Sequence, residues 1–160
     1  MRTEGRKMPQ VAIVMGSESD RQTMQLAADI LDSLGVTTEV VVMSAHRTPE
    51  KVRDYSRAAK ERGIRLIIAG AGMAAHLPGV IAAWTTLPVI GVPLPAGELR
   101  GQDALYSMVQ MPSGVPVATF GIGNSGARNA AYFAAAVLGL SDEAVGHSYE
   151  QFRRRQSGEM

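Results

Sequence analysis

Between Leu66 and Gly97 the chain carries no Asp, Glu, Lys or Arg, a stretch that by length alone would suit one membrane-spanning helix. Its punctuation forbids that. Pro78, Pro88, Pro93 and Pro95, with Gly70, Gly72, Gly79 and Gly91, cut it into pieces no membrane helix tolerates. What survives the cuts reads as strand, loop, helix, strand. A second charge-free stretch runs from Ala104 to Ala127, so the middle of the chain has little that favours water. Either subunits bury part of it, or one protomer folds it into a large core.

The same alternation extends to both sides. Val11-Ala-Ile-Val-Met15 is a continuous apolar run, as a parallel strand covered on both faces requires. Met24, Ala27, Ala28, Leu31 and Leu34 then recur at helical spacing, Ser19 and Gln22 have capping-box spacing, and Gly35 falls where a C′ glycine belongs. Val40–Met43 is the second strand. Thr48 as N-cap, Pro49 at the first helical position, and Val52, Tyr55 and Ala59 on one face predict a helix ending at Gly63. Leu66–Ala69, Val89–Val92 and Val117–Phe120 are further strands, followed by an Ala-rich helix from Ser125 to Leu138 and a polar terminal helix from Ser141 to Arg155. Strands alternating with helices imply right-handed crossovers and a parallel sheet with helices on both faces. A length of 160 residues gives one domain spanning 1–160, with a core over 11–138 and the terminal helix beyond it.

Composition removes whole classes of function. Lys+Arg 16 against Asp+Glu 15 leaves a net charge of +1, too little to attract nucleic acid or an anionic membrane. With no cysteine, disulfide frameworks, thiolate metal sites and cysteine nucleophiles are excluded together. Arg2, Arg6 and Lys7 precede an apolar run far shorter than a signal-peptide core, so no export signal is expected.

In an open parallel sheet, ligands collect beyond the carboxyl ends of the strands. Three loops there carry chemistry. Gly16-Ser-Glu-Ser-Asp20 opens a helix, where free N–H groups and the dipole favour an anion, although plain capping by Ser17 or Ser19 explains the serines equally well. Ser44-Ala-His-Arg-Thr-Pro49 places a proton-transfer group, His46, beside a forked cation, Arg47. Gly70-Ala-Gly-Met-Ala-Ala-His-Leu-Pro-Gly79 is glycine-rich, and its His76 reads either as a site residue or, more simply, as a satisfied buried histidine.

Two dinucleotide fingerprints, Gly70-x-Gly72-x-x-Ala75 and Gly121-x-Gly123-x-x-Gly126, are decoys, because neither is followed by an acidic residue at the end of the next strand. Gln110–Val117 reads as a rigid connection, and His147 with Arg153–Arg155 as a solvated helix end. The chain has no triphosphate loop, nucleophile elbow or His-Glu-x-x-His helix. A phosphorylated, hydroxylated small ligand handled by one acid–base histidine remains.

Six segments in order carry a resemblance: Met15-Gly-Ser-Glu-Ser-Asp20, Ser44-Ala-His-Arg-Thr-Pro49, Ala74-Ala-His-Leu-Pro-Gly79, Leu87-Pro-Val-Ile-Gly-Val-Pro93, Gln110-Met-Pro112 and Pro116-Val-Ala-Thr119. Between Val11 and Leu138 the chain resembles the bacterial-type N5-carboxyaminoimidazole ribonucleotide mutase family of purine biosynthesis. The resemblance implies a flavodoxin-like α/β/α sandwich with a parallel five-stranded sheet and an extra C-terminal helix. It also implies a cytoplasmic homo-octamer with active sites between subunits, and a transient contact with the upstream N5-carboxyaminoimidazole ribonucleotide synthetase. No cofactor and no metal are implied.

By the same resemblance His46 is the general acid–base, Ser17 and Asp20 hold the ribose phosphate portion, and Arg47 binds an anionic group. Gly16, Ser19, Ser44, Ala45, His76 and Leu77 complete the substrate-binding set, while CO2 is kept near Gly72, Met73 and Ala74. Met73 stands where the family commonly has glycine. Related aminoimidazole ribonucleotide carboxylases, which take CO2 directly, tend to have Lys in place of Arg47 and to lack the Ala-His-Leu-Pro loop. A non-catalytic flavodoxin-like module is the alternative from another class.

Overall fold

A computed structural model describes residues 8–159; Arg2, Arg6 and Lys7 lie outside them. Five strands, β1 (Val11–Met15), β2 (Thr38–Val42), β3 (Leu66–Gly72), β4 (Val89–Leu94) and β5 (Ala118–Thr119), form one sheet in the order β2-β1-β3-β4-β5. Every pairing is parallel, with Val11 opposite both Thr38 and Leu66, Ile67 opposite Val89, and Ile90 opposite Ala118. The helices are α1 (Arg21–Ser33), α2 (Pro49–Ala58), α3 (Leu77–Trp84), α4 (Gln102–Val109), α5 (Asn124–Gly139) and α6 (Glu143–Ser157). This is the flavodoxin-like α/β/α sandwich that the resemblance implies, with α6 as the extra terminal helix.

The alternation of β1 divides the core. Val11, Ile13 and Met15 face α1 and α5, packing with Met24, Leu31, Ala127, Ala134 and Leu138. Ala12 and Val14 face the other way, among Val52 of α2, Ile81 of α3 and Met108 of α4. All five residues of β1 are fully buried, which is why the run contains no polar residue. Burying each large aliphatic side chain there contributes about 1.5–3 kcal/mol relative to exposure. Outside this frame, α6 stacks Phe152 on Tyr132 of α5 with ring centroids 4.3 Å apart.

Several boundaries differ from the sequence expectation, for local reasons. β3 continues to Gly72 because β4 pairs with it as far as Leu94. β5 keeps only two residues, at the sheet edge. The second helix stops at Ala58 and reaches Gly63 through turns in which Arg62 donates to the Ala58 carbonyl and Gly63 to that of Lys60. The capping box lies at Ser17 and Asp20, around a single 3-10 turn at Glu18–Asp20, rather than at Ser19 and Gln22. Helix α4 is not legible from the periodicity: only Ala104 and Met108 are buried, while Tyr106 and Val109 are apolar and exposed, so its hydrophobic stripe is masked.

Chain reversal places the crevice. After β1 the chain enters α1 on one face, whereas after β3 it enters α3 on the other. The loops that follow these two neighbouring strands therefore diverge and leave a cleft between them, at the point where strand order reverses.

Candidate functional site

Three loops meet in that cleft. In the first, Ser17 has an extended backbone and its Oγ accepts from the Ser19 N–H at 3.4 Å and the Ser19 hydroxyl at 3.0 Å. Asp20 Oδ2 accepts the Ser17 N–H at 3.2 Å. Partial burial pushes the Asp20 carboxyl above the usual aspartate range, opposed by the Ser17 N–H that favours the charged form.

The second loop is held by hydroxyls. Ser44 Oγ accepts the backbone N–H of His46 at 3.3 Å and of Arg47 at 3.2 Å, while Thr48 Oγ1 accepts from the Ser44 N–H at 3.0 Å and donates to its carbonyl at 3.1 Å. Thr48 thus starts α2 by closing a ring on Ser44 instead of capping the helix N–H groups. From this frame two side chains diverge. Arg47 donates through one terminal nitrogen to the Gly16 carbonyl at 3.1 Å, binding the second loop to the first. His46 turns the other way, and its Nε2 lies 2.7 Å from His76 Nδ1 of the third loop. The two imidazoles meet edge to face, with centroids 4.8 Å apart at 88°. One nitrogen of this contact must carry the proton and the other accept it.

His76 is therefore not a buried histidine: it is exposed, immediately before α3, with its own N–H donating to the Ala74 carbonyl at 2.8 Å. The cavity between the loops has a volume of about 440 Å³. Gly16, Ser17, Ser19 and Asp20, then Ser44, Ala45, His46 and Arg47, then Gly72, Met73, Ala74, His76 and Leu77 all line it. Every residue expected at the site is brought to one cavity. Sequence reasoning missed Ala71 and Ala96, which also line it; Ala96 follows β4, so the strand-end rule marks its loop, but an alanine carries no chemical signature.

The lining is divided by chemistry. Loops after β1 and β2 supply hydroxyls, a carboxyl, an imidazole and a guanidinium, whereas the β3 and β4 side adds His76 to Ala71, Gly72, Met73, Ala74, Leu77 and Ala96, none of them bearing a carboxylate or a guanidinium group. The imidazole pair stands on the boundary. A wider groove of about 940 Å³ lies at the start of β4 and β5, where the Arg57 guanidinium sits 4.7 Å over the Trp84 ring. It holds no histidine or carboxylate. Among the described residues no group of three or more His, Asp or Glu side chains could hold a metal ion, and no helix is long and apolar enough to cross a membrane.

Comparison with known proteins identifies the family. Residues 10–159 match the family model described as AIR carboxylase. The chain is 56% identical over 147 residues to an N5-carboxyaminoimidazole ribonucleotide mutase of Vibrio parahaemolyticus, covering 92% of this chain and 91% of that protein. A Bacillus subtilis protein of the same name is 56% identical over 145 residues, covering 91% and 90%. The crystal structure of Treponema denticola PurE superposes with a TM-score of 0.85 at 28% identity, over 94% of this chain and 93% of that one. The order of the strands, the cleft at their reversal and these matches lead to one assignment: the chain belongs to the AIR carboxylase family.

Proposed function

We propose that the chain is an N5-carboxyaminoimidazole ribonucleotide mutase, moving a carboxylate from the exocyclic nitrogen of the aminoimidazole to ring carbon C4. The observation that carries this reading is that His46 lines one cavity together with Ser17, Asp20 and Arg47 and with apolar residues of the loops after β3 and β4. Relatives at 49–56% identity bearing the mutase name support the choice of reaction.

Ser17 and Asp20 hold the ribose phosphate portion, and Arg47, fixed by the Gly16 carbonyl, pairs with an anionic group of the substrate. His46 as imidazolium gives its proton to the carbamate nitrogen. The N–C bond breaks, its electron pair stays on nitrogen, and neutral CO2 is released beside aminoimidazole ribonucleotide. C4 then supplies the electron pair of a new C–C bond to CO2, and neutral His46 removes the C4 proton. Proton and carboxylate each change place once, and the imidazolium is restored. Confinement gives CO2 an effective molarity that dissolved gas lacks, and the apolar half weakens carboxylate solvation before the bond breaks.

The assembly is a homo-octamer in the cytoplasm, with a transient contact to the synthetase that supplies the labile carbamate. Exposed Tyr106, Val109 and Leu99 in and beside the charge-poor region support burial between subunits. Sedimentation of the purified protein tests the octamer; a monomer at micromolar concentration refutes it. The second reading, carboxylation of aminoimidazole ribonucleotide by free CO2, follows the description of the family model. An assay with the carbamate against one with aminoimidazole ribonucleotide and bicarbonate decides: turnover of the carbamate is expected, and activity only with the second pair overturns the mutase reading.

A further inference from the structure

The groove at the start of β4 and β5 lies at the opposite end of the strands from the imidazole pair, and the chemistry proposed above makes no use of it. Helix α3 links the two places: His76 precedes its first residue and Trp84 is its last, eight residues on, so about 12 Å of helix separates them. Charge in the groove has one sign. Arg57 and Lys60, three residues apart at the end of α2, both line it, and no Asp or Glu does. Other cations are committed elsewhere: Arg21, Arg53, Arg62 and Arg154 form ion pairs, and Arg47, Lys51 and Arg65 donate hydrogen bonds. Neither Arg57 nor Lys60 is in an ion pair among the described residues. A helix C-terminus favours nearby cations, but it does not require two of them to converge on one groove.

The way Arg57 is held prepares it for an anion. Its guanidinium carbon lies 4.7 Å from the Trp84 ring centroid; stacking uses the flat face of the guanidinium and leaves the N–H fork, which lies in its plane, for an oxyanion. The indole is 39% exposed, so ring surface remains for a planar group. The frame around it is stiff: Thr85 Oγ1 accepts the Leu87 N–H at 3.2 Å, the Pro88 carbonyl accepts the Ile67 N–H at 3.0 Å, and Pro116 lines the same groove just before β5. Its volume of about 940 Å³ falls within the range of preformed small-molecule sites.

We infer that this groove is a second small-molecule site, taking a nucleoside monophosphate with its base on the Trp84 indole and its phosphate on Arg57 and Lys60. Every base has a π-face on which an aromatic side chain can stack. A phosphate carrying a charge of about −2 matches two converging cations better than a single carboxylate does. Inorganic phosphate forgoes the indole, and an uncharged nucleoside forgoes both cations, so each half of the ligand alone binds more weakly than the whole.

Trp84 is the only tryptophan of the chain, so its emission, excited at the red edge of its absorption where adenine does not absorb, reads the groove directly. The full-length protein in its native assembly is titrated with adenosine 5′-monophosphate, and a saturable quench is expected. The double variant Arg57→Gln, Lys60→Gln changes two exposed positions and should cost the fold little. It should need roughly tenfold more nucleotide for half the quench. Asp20→Asn, which alters the catalytic cavity, should leave the midpoint where it was. Adenosine should bind more weakly than its monophosphate, and inorganic phosphate should displace the nucleotide only weakly. Absence of a saturable quench at millimolar nucleotide overturns the site. A midpoint unmoved by the double substitution also overturns it, and a midpoint that shifts in Asp20→Asn assigns the quench to the catalytic cavity instead. Equal midpoints for adenosine and its monophosphate overturn the recognition of phosphate, and inorganic phosphate competing as tightly as the nucleotide overturns the role of the indole.

Discussion

The contact between His46 and His76 makes a quantitative demand on the enzyme. Replacing His76 with Ala removes the only side chain within hydrogen-bond reach of His46 Nε2 among the described contacts, at 2.7 Å. A hydrogen bond to a group that is charged in one half of the cycle is worth about 1.5–3 kcal/mol. Both rings are exposed in the single chain, so the lower end applies, and about 1.5 kcal/mol corresponds to a tenfold fall in kcat. Because the contact of His76 is with the His46 ring, the proposed mechanism has its loss lower kcat and leave KM nearly unchanged. The assay is steady-state turnover of the carbamate in a double-mutant cycle. His76→Ala should cost about tenfold in the native background and almost nothing once His46 is Asn, since residues that act as a unit are not additive. A full tenfold loss in both backgrounds would show that His76 acts on the substrate independently, and native kcat in His76→Ala would remove the pair from the mechanism.

Three further outcomes follow from the same geometry. His46→Asn should keep assembly and substrate binding while lowering turnover by roughly 100-fold or more, measured as kcat beside the dissociation constant for aminoimidazole ribonucleotide; near-native turnover removes His46 from proton transfer. Asp20→Asn should raise KM by about tenfold through loss of a charged acceptor for the ribose. Burial raises the Asp20 pKa, so protonation weakens binding as pH falls through a range above that of ordinary aspartates; the KM–pH profile should show this acid limb, and Asp20→Asn should lack it. Gly126→Ala should destabilise the fold by about 3 kcal/mol, because the added Cβ would lie 1.6 Å from the Gly121 carbonyl oxygen. Gly70→Ala meets the flexible Met24 Sδ at 2.3 Å instead and should cost distinctly less in the same urea titration; equal costs would contradict the backbone clash.

What could be read from residues alone was whatever one face or one loop encodes by itself. Val11–Met15 and the period of Met24, Ala27 and Leu31 declare a doubly covered strand and an amphipathic helix without outside help, and the strand-end rule singles out loops that line one cavity. Elements that depend on partners were harder. Helix α4 hides because Tyr106 and Val109 put apolar side chains on its outer face, and β3 is longer than its apolar run because β4 supplies the pairing. His76 is the opposite case: a lone histidine in an apolar loop looks like core, and only the approach of the β2–α2 loop shows it paired with His46. The glycine fingerprint at Gly121–Gly126 is steric, since Gly126 packs against the Gly121 carbonyl.

If His46 works beside a compartment that keeps CO2 through both bond changes, the transferred carbon never mixes with the medium. A single turnover of carboxyl-13C carbamate in excess unlabelled bicarbonate, with the product read by mass spectrometry, addresses it directly. Most of the 4-carboxy product should retain 13C; product carrying carbon at the isotopic composition of the medium would show that released CO2 leaves the site before C4 captures it.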